Sequence, residues 1–380
     1  MMNEKYKGKI LWLTDTFWDH NGVSMVLQAM HREIQSRDLP IDILVCSNTM
    51  ESEPHLRVIK PVAEFVFPFY RQQQIRIPGF FDLRRIFIDG NYNSIICSTE
   101  GPMGMAALYL SKSFGVRSYF YIHTDWLMFA RTAMKIGDPG VMGITRLLRY
   151  YYRRYDGLFV LNTDHQEWLT GNSMRFDPSR VFLTAHWADG IFYPREAKKS
   201  TVFGLPENTP VILYAGRISE EKGVMELPRI YKTACETIPG LKMVIAGTGP
   251  AADKLKEILP EAFFPGWVNH ADLPEFFSAA DLLILPSRFD TFSCAVLEAQ
   301  SCGLPVIAYN TKGPKDIICH GISGFLANDI DQMIGGIRHF FNDPEMQRNM
   351  RLAARERGEH YNVSAIMDRF MTDVNMLKAG

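Results

Sequence analysis

The sequence predicts an α/β protein made of two doubly wound, Rossmann-like domains facing a deep cleft. Three observations predict it. Short apolar runs alternate with longer amphipathic runs along the 380 residues, as parallel strands do when helices cover both faces of a sheet. The alternation occurs as two series, separated near Asp189–Thr209 by a polar stretch rich in Gly and Pro. The length suits two domains at roughly 100–200 residues each.

The elements follow in order. Candidate strands of the first series are Lys9–Thr14, Ile41–Cys46, Ser94–Ser98, Arg117–His123, Gly157–Leu161 and Val181–Thr184. The second series is Val211–Gly216, Lys242–Gly247, Leu282–Pro286 and Pro305–Ala308. Helix-length amphipathic runs lie between them: Val23–Gln35, Met103–Phe114, Gly140–Arg154, Met225–Thr237, Pro250–Ile258 and Ala295–Ser301. The domains are expected at 1–190 and 191–360. The last amphipathic run, Val363–Leu377, has no strand after it, so 361–380 is expected to be a helix packing back on the first domain. In open α/β sheets ligands sit beyond the carboxyl ends of strands, which makes the cleft the default site.

Composition narrows the function. Hydrophobic residues make up 47% and charged residues 22%, with a formal net charge of -1, so there is no basic excess to hold a nucleic acid. Six scattered cysteines without a CxxC pair read as reduced thiols of a cytoplasmic protein. No Cys/His cluster has ligand spacing, so no metal is expected. The segment MMNEKYKGKILWLTD lacks the apolar region of a signal peptide. No apolar run reaches the ~20 residues that span a bilayer.

The chemistry concentrates at strand ends. After Val211–Gly216 comes GRISEEKG, where Arg217 and Lys222 flank a short loop. An Arg fork and a Lys point charge can neutralise a diphosphate; the alternative is a solvated pair bridged to Glu220 or Glu221. Gly247-Thr248-Gly249 permits a tight turn and close approach of a ligand, but lacks the third glycine of a dinucleotide fingerprint. Phe264–Val268, with Trp267, is either a wall for a nucleobase or a core strand ending in a packed Trp. The strongest signal is the strand, loop and helix spanning 280–310, with Asp290 and Glu298 separated by seven residues. Amides of Thr291, Phe292, Ser293 and Cys294 lie at a helix start, where phosphate binds, and Ser293 is the expected N-cap. In the first domain Gly22 and Val23 follow the first strand and open a helix. His123 ends another strand, where it can meet a sugar hydroxyl, and Glu100 sits at a third. Two segments, Phe65–Phe87 and Arg146–Tyr155, mix arginines with aromatics. Each is either a half-buried helix with a solvated Arg face or a contact with an anionic membrane surface.

These residues resemble a known family. GRISEEKG, IAGTGP, FPGWV, SAADLLILPS, the Asp290/Glu298 unit, CGLPVIAYNTKGPKDII and HGISGFLA resemble the GT-B fold, retaining glycosyltransferases of family GT4 (group 1). The branch with sulfoquinovosyl- and mannosyl-transferases of lipids is the most similar. The resemblance implies that Arg217 and Lys222 bind a donor diphosphate and that Glu298 binds the nucleotide ribose. It implies that Asp290 touches the donor sugar, with amides near Phe292–Cys294 on sugar or phosphate. Gly216, Gly247, Trp267 and Val268 then line the nucleotide, Gly22 and Val23 line its phosphates from the first domain, and His123 contacts the transferred sugar. Two positions depart from the family. Asp290 stands where Glu is usual, setting the carboxylate back by ~1–1.5 Å. Ser293-Cys294 replaces a glycine-containing sequence.

The resemblance therefore implies transfer of a sugar, with retention, from a nucleoside diphosphate sugar, UDP before others, to an acceptor hydroxyl. Lipid is the first expected acceptor, then a saccharide or small molecule. Domain 1–190 would be the acceptor side and 191–360 the nucleotide-sugar side. Neither metal nor cofactor is expected, and the location is cytoplasmic or peripheral at the inner face of the membrane. The alternatives are a nucleotide-sugar sensor or inactive scaffold, which Asp290 makes conceivable, and an epimerase on the same fold.

Overall fold

The computed structural model describes residues 8–18, 22–66, 74–132 and 134–376. The chain divides into two compact units: Met1–Ala185 with Ile366–Gly380, and His186–Ala365.

The first unit runs β1 (Ile10–Thr14), α1 (Gly22–Arg37), β2 (Ile41–Cys46), β3 (Leu56–Ile59), β4 (Pro61–Val66), β5 (Gln74–Pro78), α2 (Phe80–Asp89), β6 (Ser94–Cys97) and α3 (Pro102–Phe114). It continues with β7 (Arg117–Tyr121), α4 (Trp126–Thr132), α5 (Asp138–Tyr152), β8 (Gly157–Val160), α6 (Thr163–Thr170) and β9 (Val181–Leu183). Seven strands form one sheet in the order β3-β2-β1-β6-β7-β8-β9, with every pair parallel. Strands β1 and β2 are buried along their whole length, which is why they read as unbroken apolar runs and not as alternation. The strand order reverses between β1 and β6, so loops open there at the carboxyl edge.

The second unit runs α7 (Lys199–Val202), β10 (Val211–Ala215), α8 (Leu227–Cys235), β11 (Lys242–Ala246), α9 (Ala252–Ile258), β12 (Phe263–Gly266) and α10 (Leu273–Ala279). Then come β13 (Leu282–Leu285), α11 (Cys294–Ser301), β14 (Val306–Tyr309), α12 (Pro314–Ile317), β15 (Gly324–Ala327), α13 (Ile330–Asn342) and α14 (Pro344–Glu359). The parallel sheet has the order β12-β11-β10-β13-β14-β15. Its reversal falls between β10 and β13, the two strands whose following loops carry GRISEEKG and Asp290. Short side-chain caps set the later helices: Asp329 accepts from the Gln332 amide at 2.8 Å, and Asp343 from those of Glu345 and Met346 at 3.0 and 2.9 Å.

Helix α15 (Val363–Met376) begins in the second unit and returns to the first from Ile366. Phe370 stacks on Trp12 with ring centroids 5.3 Å apart. The Tyr119 hydroxyl donates to the Val374 carbonyl at 3.0 Å, and Arg37 pairs with Asp368 at 2.6 Å.

Every strand and helix expected from the sequence lies within two residues of its observed bounds, the usual uncertainty of element ends. The stretch 47–93 differs. Phe65–Phe87 is not one helix: β4 and β5 pair antiparallel, and α2 follows. Residues 67–73 of it lie outside the described residues. Strand β4 is mostly exposed, so it carries no burial pattern to read. Segment Arg146–Tyr155 falls on α5, where Leu148 and Tyr152 are buried while Leu147 and Tyr150 are exposed. Among the described residues, no helix is long and apolar enough to cross a membrane.

Candidate functional site

The second unit builds its site where the strand order reverses. Strand β10 ends at Ala215, and its loop is stitched to the next one by backbone. The Gly216 amide donates to the Ala246 carbonyl at 3.0 Å and the Ile218 amide to the Thr248 carbonyl at 2.9 Å. A Cβ on Gly247, which has φ +143°, would lie 1.9 Å from the Gly216 carbonyl oxygen. On its Cβ side, close approach to Gly247 is made by the neighbouring loop. Gly247 also donates to the Gly266 carbonyl at 2.8 Å, so three strand ends are tied in series.

Lys222 projects from this loop to the far side of the reversal. Its Nζ lies 2.6 Å from Asp290 Oδ1, with side-chain exposures of 31% and 11%. The expected alternative, a bridge to Glu220 or Glu221, is not the one formed; Glu220 pairs with Lys254 at 3.3 Å. The other carboxylate oxygen, Asp290 Oδ2, is buried with no hydrogen-bond partner among the described residues. Glu298 on α11 faces His270, Nε2 to Oε1 3.7 Å. Burial pushes the Cys294 thiol up to about 12; the Glu298 and Asp290 charges add to this and Lys222 opposes it. All three charges therefore act on one half-buried cysteine.

The remaining sequence-derived residues are placed as follows. Gly216 and Arg217 are exposed at the end of β10, and the Arg217 carbonyl accepts from Tyr214 at 2.7 Å. Trp267 is 73% exposed, so it is not the packed end of a core strand; Val268 beside it is half-buried. Thr291 is half-buried and Phe292 buried, the latter edge-on to His186 at 5.0 Å and to Tyr361 at 6.0 Å. Ser293 occupies the N-cap position of α11, but its side chain makes no capping bond. The reason is its backbone, at φ +75° and ψ +71°, where the N-cap geometry that aims a hydroxyl at the first turn is lost.

Gly22, Val23 and His123 belong to the first unit. Gly22 and Val23 open α1; Asp19, His20 and Asn21 before them lie outside the described residues. His123 is 7% exposed and stacks on Tyr121 at 4.4 Å. At the reversal of this sheet Thr99 donates to Asp15 at 2.6 Å, and Asp15 accepts from the Met103 amide at 3.1 Å. Burial pushes the Glu100 carboxyl up to about 7, while the Tyr152 hydroxyl, donating to it at 2.6 Å, pulls the other way.

Three residues were not reached from the sequence: His186, His270 and Arg288. Arg288 lies over the Tyr309 ring at 3.6 Å and faces Glu226 at 3.9 Å. Burial holds the His186 imidazole down at about 3, so it is neutral near pH 7. Both histidines sit just past strand ends, which was the available signal, but each acquires meaning only from a partner distant in sequence. Among the described residues no three His, Cys, Asp or Glu side chains converge as metal ligands.

Comparison with known proteins places the chain in a family. Residues 20–184 match the family model described as Glycosyltransferase Family 4. Residues 196–357 match Glycosyl transferases group 1. A GDP-mannose-dependent alpha-mannosyltransferase of Corynebacterium glutamicum is 32% identical over 177 residues, 44% of this chain and 41% of that one. A sulfoquinovosyl transferase of Arabidopsis thaliana is 31% identical over 166 residues, 42% of this chain and 32% of the relative. The matched stretch thus spans less than half the length of these curated relatives. The crystal structure of HepE from Anabaena in complex with UDP superposes with a TM-score of 0.75 at 16% identity, over 97% of this chain and 100% of that one. The fold is GT-B. The chain belongs to the group 1, family 4 glycosyltransferases.

Proposed function

We propose that this chain transfers a sugar, with retention, from a nucleoside diphosphate sugar to an acceptor hydroxyl. The observation that carries the reading is the Lys222–Asp290 pair of 2.6 Å across the reversal of the second sheet, with Glu298 close by. It sets an ammonium where a leaving diphosphate needs charge, and a carboxylate with one unbonded oxygen where a sugar offers hydroxyls. Arg217 supplies the second cation and Glu298 holds the ribose diol. The work of the protein is electrostatic stabilisation of the leaving group and positioning of the acceptor. No metal is required on this reading, because the two cations and the start of α11 take its place. No protein side chain is assigned as general base: a phosphate oxygen of the donor takes the acceptor's proton.

UDP is the proposed nucleotide, supported by the UDP complex of the Anabaena protein. Calorimetric titration of UDP into the wild type and Glu298→Ala tests the placement. The variant is expected to bind at least ~10-fold more weakly, the worth of about 1.4 kcal/mol. Equal affinity would reject Glu298 as the ribose ligand.

A lipid acceptor met at a membrane surface is the further proposal. It is supported by exposed Phe81 and Ile88 on α2 and by exposed Met142, Leu147 and Tyr150 on α5, where Arg146 is also exposed. Sedimentation with phosphatidylglycerol vesicles measures it. Arg146→Glu with Leu147→Glu is expected to abolish binding, and full binding by that variant would exclude α5 as the contact.

A further inference from the structure

Glu298 lies one turn into α11, where Val296, Leu297, Ala299 and Gln300 are buried, and its own side chain is 17% exposed. A carboxylate mostly withdrawn from water needs a charged or donating partner. Cys294 and Cys302 stand four residues before and after it. Burial above all, and then the Glu298 charge, push both thiols up to about 12, so both are neutral near pH 7. The partner is His270, whose Nε2 lies 3.7 Å from Glu298 Oε1. Among the described residues Glu298 makes no other ion pair. The separation exceeds the ~2.7–3.2 Å of a hydrogen bond, and a small rotation of either side chain closes it.

The imidazole is itself held. Its ring meets Phe192 edge-on, with centroids 4.9 Å apart. Phe192 is 4% exposed and packs in turn on Phe277 at 6.0 Å. The turn carrying His270 is closed by the Asp272 and Leu273 amides, which donate to the Asn269 carbonyl at 2.9 and 3.2 Å. Resting on the donor reading above, in which Glu298 holds the ribose, we propose that His270 is a positioning residue. It fixes the Glu298 carboxylate so that the oxygen it does not face accepts from the ribose diol. In this role the imidazole proton sits on Nε2. An unanchored glutamate would lose its torsional freedom only when the nucleotide arrives, at the expense of affinity. His270 restricts it beforehand. Trp267 and Val268 precede His270 by three and two residues, so the loop expected along the base also sets the ribose ligand.

The test is a pair of variants. His270→Phe keeps a ring against Phe192 without the donor, and His270→Gln restores a donor. Each is titrated with UDP and 2′-deoxy-UDP, with GDP and 2′-deoxy-GDP as a parallel series. His270→Phe is expected to bind the ribonucleotide about 3- to 10-fold more weakly, the worth of one anchored side chain. It should lose no more than about two-fold for the deoxynucleotide, so the preference for a 2′-hydroxyl shrinks. His270→Gln is expected to recover most of the loss. In a Glu298→Ala background His270→Phe should cost nothing further, because the imidazole acts through that carboxylate. Both single variants are expected to melt within about 2 °C of the wild type, since His270 is 33% exposed. Unchanged ribonucleotide affinity in His270→Phe, or an equal loss for both nucleotides, would overturn the proposal. A wild type that binds none of these nucleotides, or a Glu298→Ala variant with native affinity, would instead overturn the donor reading on which it rests.

Discussion

Lys222→Ala is expected to lower kcat/KM by about 10²- to 10³-fold, the range for losing one group aimed at developing charge. Weaker UDP binding, by at least ~10-fold, should accompany it. The effect has two parts. The ammonium that meets the diphosphate is gone, and Asp290, 11% exposed and 2.6 Å from Nζ in the native pair, becomes an uncompensated anion facing another anion. Lys222→Ala with Asp290→Asn separates them: recovery of UDP binding, but not of turnover, is the expected result. Folding is expected to weaken as well, because Asp290 is only 11% exposed and a buried carboxylate stripped of its partner is costly; the double variant should recover the melting point. Native melting with unaltered UDP affinity in the single variant would remove Lys222 from the site.

The second large effect is on the scaffold under that lysine. Gly223→Ala is expected to destabilise the second unit by about 2–5 kcal/mol, combining left-handed backbone strain with forced displacement of packed atoms. Gly223 has φ +70°, and a Cβ on it would lie 2.0 Å from the Pro286 carbonyl oxygen. That oxygen belongs to the main chain leaving β13, so neither side can yield by rotating a side chain. Gly223 is also the residue after Lys222, and its shift must move the ammonium away from Asp290. Urea unfolding followed in the second unit checks the stability, and calorimetry with UDP checks the coupling. An alanine variant as stable as the wild type would mean that the loop does not pack on Pro286 as described.

Most strands of the two sheets were legible because they are buried on both faces. Ile41–Cys46 and Val211–Ala215 are apolar or nearly so throughout, and a helical run follows each. Strands without that signature were missed: β4 lies mostly exposed and pairs with β5 in a two-stranded sheet, and β15 is a short Gly-Phe-Leu-Ala edge. At the site, the spacing of Asp290 and Glu298 and the cations of GRISEEKG could be read directly, because a strand, a loop and a helix start are local events. What joins them could not. Lys222 and Asp290 are 68 residues apart, and whether Lys222 turns to Glu220, Glu221 or Asp290 depends on which strand lies beside β10. The role of Ser293 as a cap failed for a similar reason. Serine favours caps, but here the loop from β13 imposes a φ that the residue's own preference would not choose.

By itself, then, the order of residues determined the alternation of strands and helices, the doubling of the sheet, and the chemical types waiting at the strand ends. These follow from burial periodicity and local backbone preference, which act over a few residues. Tertiary structure decided the partners: which carboxylate takes the lysine, which imidazole faces Glu298, and which glycine must stay bare because another loop's carbonyl presses on it. Those outcomes are set by strand order and by distances between chain segments far apart in sequence, and neither quantity is carried by the local pattern.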